Sequence, residues 1–285
     1  MIKIEHLNYI YQPGMPYEMQ ALKDINLEIP DKDFVAVIGH TGSGKSTLIQ
    51  HLNGLIKPTS GKIYINDIEI TDSKTNMKEI RQKVGLVFQY PENQLFEETV
   101  YKDIAFGPKN MGISDEEIEI RVKEAIHAVN LSEEVLEKSP FELSGGQKRR
   151  VAIAGVISMH PEILILDEPT AGLDPSGRDR LLELLTNLHE NTKMTIILVS
   201  HSMEDVARVA KNIIVMNNGS VYAHEPVAKV FERGAELEKI GLAVPQVTML
   251  INRLIEKGAK LPRDIYTVGY ATKIISDIMK GNSDV

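Results

Sequence analysis

The residues from Gly39 to Ser46 could do phosphate chemistry, because they read G-x-x-x-x-G-K-S. The backbone N–H groups of such a glycine-rich loop can surround phosphates. The apolar run Phe34–Ile38 precedes the loop and a helical pattern follows it, which is the strand–loop–helix context that the motif requires. We therefore expect Lys45 on the terminal phosphates and the Ser46 hydroxyl on Mg²⁺. The predicted nucleotide ligands in this stretch are Gly39, His40, Thr41, Gly42, Ser43, Gly44, Lys45, Ser46 and Thr47.

Polar side chains also follow three later apolar runs. They are Asp167 and Glu168 directly after Ile163–Leu166, and then Gln89 and His201 after two further runs. Because the carboxyl ends of parallel strands meet at one edge of a sheet, where ligands bind, we expect all four beside the glycine-rich loop. Taken singly, the glutamine would be a surface amide, the histidine a structural residue and the acidic pair the start of a turn.

The pentad Leu143–Gln147 reads Leu-Ser-Gly-Gly-Gln and opens a predicted helix. Ser144 and the glycine amides at such a helix N-terminus can bind an anion. An isolated pentad of this kind would be an N-cap serine with a glycine turn. Its position shortly before the acidic pair instead favours a second phosphate site.

Together these motifs resemble the nucleotide-binding subunits of ATP-binding cassette (ABC) transporters. The resemblance implies an ATPase, with ATP and Mg²⁺ as its ligands. The catalytic residues that it implies are Glu168 as general base, His201 as a contact of the γ-phosphate and Gln89 as a sensor of Mg²⁺ and the attacking water. The metal-binding residues that it implies are Ser46, Gln89 and Asp167.

The same resemblance assigns residues to a dimer in which two chains enclose each ATP. The residues that would face the γ-phosphate bound by the partner subunit are Ser144, Gly145, Gly146 and Gln147. Asp174 lies in a loop that would communicate between the subunits. Tyr11 would stack on adenine, with Tyr9 and Tyr17 as competing candidates.

The predicted fold is α/β, a P-loop NTPase of ABC type with a mixed core sheet, an antiparallel β lobe, an inserted helical subdomain and a short α-helical C-terminal appendage. The nucleotide-binding domain is expected to span 1–225 and the helical subdomain about 90–160. Apolar residues at helical spacing between Ile118 and Val129 mark one helix of that subdomain, with Ser114 and Glu117 as a capping box. Residues 226–285 form the expected dimerisation appendage.

Two local features resemble the ATPases of energy-coupling factor (ECF) transporters, which import vitamins and transition-metal ions. They are the segment Gln89–Phe96 with its continuation to Pro108, and the tail sequence Leu242–Gln246. This resemblance implies three partners: a second, homologous ABC ATPase subunit forming a heterodimer, a transmembrane scaffold protein, and a small membrane substrate-binding protein. The alternatives are the ATPase of a conventional binding-protein-dependent importer and a soluble ABC ATPase without a transport role.

Two apolar surfaces are candidate docking sites. Tyr90, Leu95 and Phe96, rimmed by polar residues that include Glu92, could receive the membrane scaffold, or these side chains could simply pack under the helical subdomain. The tail has apolar faces at helical spacing, which could pair the two ATPase subunits or fold back on their own domain. These faces comprise Val247, Leu250, Ile251, Leu254 and Ile255, and then Ile274, Ile275, Ile278 and Met279.

The composition limits the remaining classes. A formal net charge of −8 over 285 residues argues against a nucleic-acid partner, which would require a basic face. The sequence contains no cysteine, so thiolate metal sites are excluded. No apolar run approaches the roughly 18 residues of a membrane span, and the start lacks the pattern of a signal peptide. We expect a peripheral protein on the cytoplasmic side of the cell membrane.

Overall fold

The computed structural model describes residues 1–279. Its strands are β1 (Ile2–Tyr11), β2 (Met19–Ile29), β3 (Phe34–Ile38), β4 (Ser60–Ile65), β5 (Ile68–Glu69), β6 (Val84–Val87), β7 (Ile163–Asp167), β8 (Thr195–Val199), β9 (Asn212–Asn217) and β10 (Ser220–Pro226). Its α-helices are α1 (Lys45–Leu52), α2 (Met77–Lys83), α3 (Val100–Met111), α4 (Asp115–Ala128), α5 (Gly145–Ile157), α6 (Pro175–Thr192), α7 (Met203–Val209), α8 (Val227–Glu232), α9 (Gly234–Lys239), α10 (Gln246–Glu256) and α11 (Val268–Met279). Short 3₁₀ turns cover Pro91–Gln94, Glu133–Val135 and Pro140–Glu142.

The core sheet has the strand order β10-β9-β3-β8-β7-β6, and only β10 runs antiparallel to its neighbour. Strands β3, β7 and β8 are buried at every position, as expected of parallel strands covered on both faces. The carboxyl ends of β3, β6, β7 and β8 therefore lie along one edge. This edge carries the glycine-rich loop, Gln89, Glu168 and His201.

A second sheet, of order β2-β1-β4-β5, is entirely antiparallel and forms the predicted lobe. Asn66 and Asp67 turn the chain between β4 and β5 with positive φ angles of 48° and 65°, which makes a tight hairpin. The buried face of the lobe packs on the core sheet in one cluster, in which Ile2 and Ile63 accompany Val35 and Val37. This packing fixes the lobe beside the glycine-rich loop.

The helical subdomain comprises α3, α4 and α5, inserted between β6 and β7. The predicted apolar face of α4 is buried throughout; it comprises Ile118, Val122, Ala125, Ile126 and Val129. The predicted capping box at its start is only half formed. The Ser114 hydroxyl accepts from the Glu117 N–H, but the Glu117 carboxylate pairs with Arg121 at 2.7 Å, because an i,i+4 ion pair competes for it.

The C-terminal appendage has two parts. Val227, Val230 and Phe231 of α8 are buried against β9 and α7, so this part completes the core of the nucleotide-binding domain. Helices α10 and α11 instead pack on each other around Ile251 and Ile274. Residues 280–285, which the predicted appendage includes, lie outside the described residues. No helix between residues 1 and 279 is long and apolar enough to cross a membrane.

Candidate nucleotide and catalytic site

Two glycines of the glycine-rich loop are required because backbone atoms of the same subunit lie close to them. A Cβ atom at position 39 would lie 2.5 Å from the carbonyl oxygen of Met216. At position 44, φ is +102° and a Cβ atom would lie 2.8 Å from the Ala21 carbonyl oxygen. Side chains therefore cannot replace Gly39 and Gly44 without moving backbone. Helix α1 begins directly after the loop, so its N-terminal N–H groups face the same space.

The Lys45 side chain lies inside the loop and is 5% exposed. Its ammonium donates to the carbonyl oxygens of Gly39 at 2.7 Å and His40 at 3.1 Å. Burial lowers the pKa of Lys45, while the charges of Glu168 and Asp167 oppose that shift. The nearby carboxylates thus favour the cationic form that phosphates require.

The predicted metal ligands Ser46 and Asp167 are neighbours. Burial raises the pKa of Asp167, and the nearby Ser46 hydroxyl opposes that shift. The buried Ser43 hydroxyl has no hydrogen-bond partner among the described residues, so this polar group of the loop remains available for hydrogen bonding. Hydroxyl and carboxylate oxygens suit Mg²⁺, which takes its other ligands from water and phosphates.

Three strand ends converge on the Glu168 carboxylate. Gln89, after β6, donates from Nε2 to Glu168 Oε2 at 3.1 Å. His201, after β8, places Nε2 at 2.6 Å from Glu168 Oε1. Glu168 itself has φ of +48°, unusual for a residue with a side chain, and its N–H donates to the Val199 carbonyl at 3.0 Å. The structure thus assembles the three predicted catalytic residues around one carboxylate.

Of the three tyrosines considered for adenine, Tyr11 is the one bonded to the nucleotide loop. Its hydroxyl lies 3.2 Å from Thr47 Oγ1. Tyr9 stacks edge-on against Tyr11 and against the buried His51, so it supports Tyr11 from behind. Tyr17 is 84% exposed. The geometry favours Tyr11 as the aromatic surface beside the phosphates.

The pentad forms a separate site at the start of α5. Ser144 is the N-cap residue: its Oγ accepts from the Gln147 N–H at 3.3 Å, and the Gln147 side chain accepts from the Ser144 N–H at 3.0 Å. Gly145 and Gly146 are exposed. A cavity of about 390 Å³ runs from the pentad to Gly172 and Asp174. Asp174 also caps α6 by accepting from the Gly177 N–H at 2.7 Å, so Gln147 and Asp174 both have local structural roles.

A buried polar network behind the site was not predicted from sequence. Asp205 is 3% exposed; it accepts from the Thr170 hydroxyl at 2.9 Å and from Arg178 Nε at 2.5 Å. Arg178 also donates to Ser202, next to His201. The network joins the loop after Glu168 to the loop after β8. Its only sequence signal is Ser202 with Asp205, a pattern that predicts a helix cap and no more.

The comparisons with known proteins agree with this geometry. The family model of the ABC transporters matches residues 22–171. This chain belongs to that family. It is 57% identical to the energy-coupling factor transporter ATP-binding protein EcfA2 of Caldanaerobacter subterraneus, over 100% of this chain and 99% of that protein. The EcfA2 protein of Clostridium perfringens is 58% identical, over 99% of each chain.

Solved structures support the same family. CbiO1 of Clostridium perfringens, described as part of the ABC transporter complex CbiONQ, has a TM-score of 0.75 and 40% identity, covering 88% of this chain and 98% of its own. The ATP-binding cassette MJ0796, in a dimeric post-hydrolysis state bound to ADP and phosphate, has a TM-score of 0.71 and 33% identity, covering 80% of this chain and 99% of its own.

The predicted family, fold class and enzymatic activity are therefore confirmed. The chain is an ATPase of the ABC type and an ATP-binding subunit of the energy-coupling factor group, with ATP and Mg²⁺ as its ligands. Neither the conventional importer nor the soluble non-transport ATPase is favoured by relatives of this identity.

Proposed function

We propose that this subunit pairs with a second, homologous ATPase subunit and drives a transmembrane scaffold protein from the cytoplasmic side of the cell membrane. The scaffold would serve a small membrane protein that binds the transported vitamin or transition-metal ion. The observation that carries the proposal is the convergence of Gln89, Glu168 and His201 on one carboxylate at the edge of the sheet. Specificity for the cargo resides in the membrane partners.

Hydrolysis follows from this arrangement. Glu168 acts as the general base, because two donors fix its carboxylate while leaving acceptor capacity for a water molecule. His201 holds that carboxylate and reaches the γ-phosphate, and Gln89 holds the other oxygen and responds to the metal. Ser46 and Asp167 would hold Mg²⁺, which would neutralise negative charge on the phosphates. Lys45 and the loop amides fix the phosphates for in-line attack.

The glycines of the pentad support a composite site. Beyond the adjacent backbone of α5, a Cβ atom built on Gly145 or Gly146 would have no described atom within 4 Å, and neither residue has a positive φ angle. Glycine at the start of a helix is unfavourable for the isolated chain, and nothing in this subunit requires it. A second chain that brings its bound ATP against the helix end would require such close approach.

A groove between the helical subdomain and the segment after Gln89 is the proposed docking site for the scaffold. Its volume is about 480 Å³, and its lining includes Leu95, Phe96, Phe106 and Met159. Phe96 is 60% exposed and stacks edge-on with Phe106, which is 44% exposed. Leu95, by contrast, packs partly into the core of the subdomain. The two phenylalanines therefore form the apolar receptor.

One carboxylate oxygen in the groove lacks a hydrogen-bond partner among the described residues. Asp103 Oδ1 accepts from the N–H groups of Phe96 at 3.2 Å and Glu97 at 3.4 Å. Its Oδ2 is buried with no hydrogen-bond partner in the described part of the chain, and burial raises the pKa of this carboxyl group. An unpaired buried acceptor is costly for the isolated subunit. A scaffold helix that inserts apolar side chains and one N–H donor would satisfy it.

The α10–α11 hairpin is the proposed contact with the second ATPase subunit. A cavity of about 890 Å³ lies between its helices. Leu250 is 54% exposed, Val268 71% and Met279 83%, so both helices leave apolar surface uncovered. Two helices this short bury little apolar area by themselves. We expect the equivalent hairpin of the homologous subunit to cover this apolar surface.

Affinity purification of the tagged full chain from detergent-solubilised membranes tests the proposal. A homologous ATPase, a larger scaffold and a small membrane protein should co-purify. Asp103→Asn keeps the acceptor Oδ1 but converts Oδ2 into a donor, so the yield of scaffold should fall at least about tenfold, one lost charge-assisted hydrogen bond being worth about 1.5–3 kcal/mol. Glu98→Gln is the matched control, because Glu98 is 82% exposed. Purification without any membrane partner would contradict the assignment.

A further inference from the structure

Arg149 makes the most extensive side-chain hydrogen bonding outside the catalytic edge. It lies in α5, just after the pentad, and its side chain is 4% exposed. Nε and Nη2 donate to the two carboxylate oxygens of Glu92 at 2.9 and 2.6 Å. Nη1 donates to the carbonyl oxygens of Pro169 at 2.9 Å and Ala171 at 2.7 Å. One rigid, planar guanidinium thus joins three segments of the chain.

The two sides of the Arg149 guanidinium contact two functionally different regions. Glu92 lies in the 3₁₀ turn Pro91–Gln94, which leads directly to Leu95 and Phe96 of the docking groove. Pro169 and Ala171 immediately follow Glu168 in the loop that leaves β7. Any displacement of the turn therefore acts, through two fixed hydrogen bonds on each side, on the backbone that positions the general base.

A second contact runs parallel to the first. The Tyr90 ring faces the Arg149 guanidinium at 5.9 Å. A Cβ atom at Gly172 would lie 3.3 Å from the same ring, so Tyr90 also lies against the loop after Glu168. Tyr90 has a positive φ of 54°, a conformation that is unfavourable for an aromatic residue unless its surroundings hold it.

We infer that Arg149 is a positioning residue that links the docking groove to the hydrolytic edge, so that engagement of the scaffold sets the rate of ATP hydrolysis. The inference rests on the proposed function, because it requires a scaffold in the groove. Arg149 touches neither nucleotide ligand nor general base. It acts through Glu92 on one side and through the backbone after Glu168 on the other.

The neighbouring Arg150 provides a matched control. Its guanidinium donates to the carbonyl oxygens of Asn130 at 2.8 Å and of Val129 and Gly146 at 3.4 Å. All three lie in the helical subdomain or at the start of α5. Arg150 is thus an arginine of the same helix, also bonded to backbone, but without a contact to the docking turn or to the loop after Glu168.

The test is ATP turnover by the complete complex, purified with its membrane proteins and assayed with ATP and Mg²⁺. Arg149→Gln should lower kcat by about 2- to 30-fold, the range found for residues along such networks, while the KM for ATP changes less than about twofold. Arg149→Lys should not restore kcat, because an ammonium cannot make the hydrogen bonds that the planar guanidinium makes on both of its sides. Full rescue by lysine, or an unchanged kcat in Arg149→Gln, overturns the inference.

Because removing one member of a buried ion pair can prevent folding, the double variant Glu92→Gln with Arg149→Gln is assayed as well. It leaves no uncompensated charge, and its thermal unfolding reports folding directly. We expect it to lower kcat no further than Arg149→Gln alone, since both changes break one link. Arg150→Gln giving the same fall in kcat at unchanged KM would show a general effect of α5 and contradict the link. Failure of the proposed function differs: no membrane protein would then co-purify with the tagged chain, whatever the turnover of the arginine variants.

Discussion

Replacing Gly146 by alanine should stabilise this subunit and yet slow its ATP hydrolysis. Gly146 is the second residue of α5, and beyond the adjacent backbone of that helix no described atom lies within 4 Å of an added Cβ atom. Alanine in a helix interior is favoured over glycine by about 0.8–1 kcal/mol, and somewhat less is expected in the first turn. For a chain of this size, that gain corresponds to a rise in Tm of at most about 2–4 °C.

The effect on catalysis should have the opposite sign. If the pentad closes on the ATP bound by the partner subunit, the methyl group occupies the approach path of the γ-phosphate. Loss of a single preorganised anion donor costs about 10²–10³ in kcat in other enzymes. A methyl group that only displaces the donors should cost at least about tenfold. ATP binding at the loop around Lys45 should be unchanged, because the pentad serves the other subunit's nucleotide.

The assay compares Tm, nucleotide affinity and ATP turnover of the purified pair of ATPase subunits. Gly155→Ala is the control, since Gly155 lies in the same helix and its added Cβ atom would meet the Asp103 carbonyl oxygen at an ordinary 3.6 Å. It should stabilise the subunit similarly and retain turnover. A Gly146→Ala variant that hydrolyses ATP at the wild-type rate would refute the composite site, and one that no longer binds ATP would refute the assignment to the partner's nucleotide.

Three further outcomes follow from the structure. Glu168→Gln should bind ATP normally but hydrolyse it about 10²- to 10⁴-fold more slowly and accumulate as a closed dimer, whereas near-normal turnover would exclude Glu168 as the base. Burial raises the pKa of Asp103, so above that pKa its charged form destabilises the isolated fold. Asp103→Asn should therefore raise stability at neutral pH, and this gain should disappear as the pH falls through the folded-state pKa. Deletion of residues 246–285 should leave ATP binding intact but yield monomers without nucleotide in light scattering; a persisting nucleotide-free dimer would show that the hairpin does not join the subunits.

The position of that deletion illustrates where sequence reasoning stops. The change in composition near Pro226 suggests a domain boundary, but Val227, Val230 and Phe231 are each at most 2% exposed in the core of the nucleotide-binding domain. A cut at Pro226 would uncover β9 and α7. After Pro245 the tail forms an apolar cluster of its own, and Met249 and Tyr266 join it to the core around α8. Apolar periodicity identifies a helix but not the surface on which it packs.

The catalytic edge could be predicted because its determinants are local and topological. A parallel sheet brings the ends of β6, β7 and β8 together whatever the intervening sequence, so Gln89, Glu168 and His201 had to be neighbours. The hairpin at Asn66 and Asp67 follows from turn chemistry for the same local reason. These features need no knowledge of side-chain packing.

The polar contacts between distant segments could not be predicted. Glu92 was expected on the polar rim of the docking patch, yet its carboxylate is bound by Arg149, 57 positions later in the chain. Nothing in the spacing of charges selects Arg149 over Lys148 or Arg150 as its partner. The choice depends on the rotation of α5 about its axis, which is set by tertiary packing.

The two glycine-rich segments differ in a way that supports the proposed second subunit. Gly39 and Gly44 are required by the carbonyl groups of their own chain. An added Cβ atom at Gly145 or Gly146 would contact no other described part of the chain, and glycine lowers the intrinsic stability of α5. Glycines that the packing of their own chain does not require indicate a surface that another molecule approaches closely. The pentad's helix also carries Arg149, so the surface offered to the partner, the docking turn and the loop after the general base are fixed to one element. If the proposed function holds, closure of the dimer and engagement of the scaffold should therefore both act on the placement of Glu168.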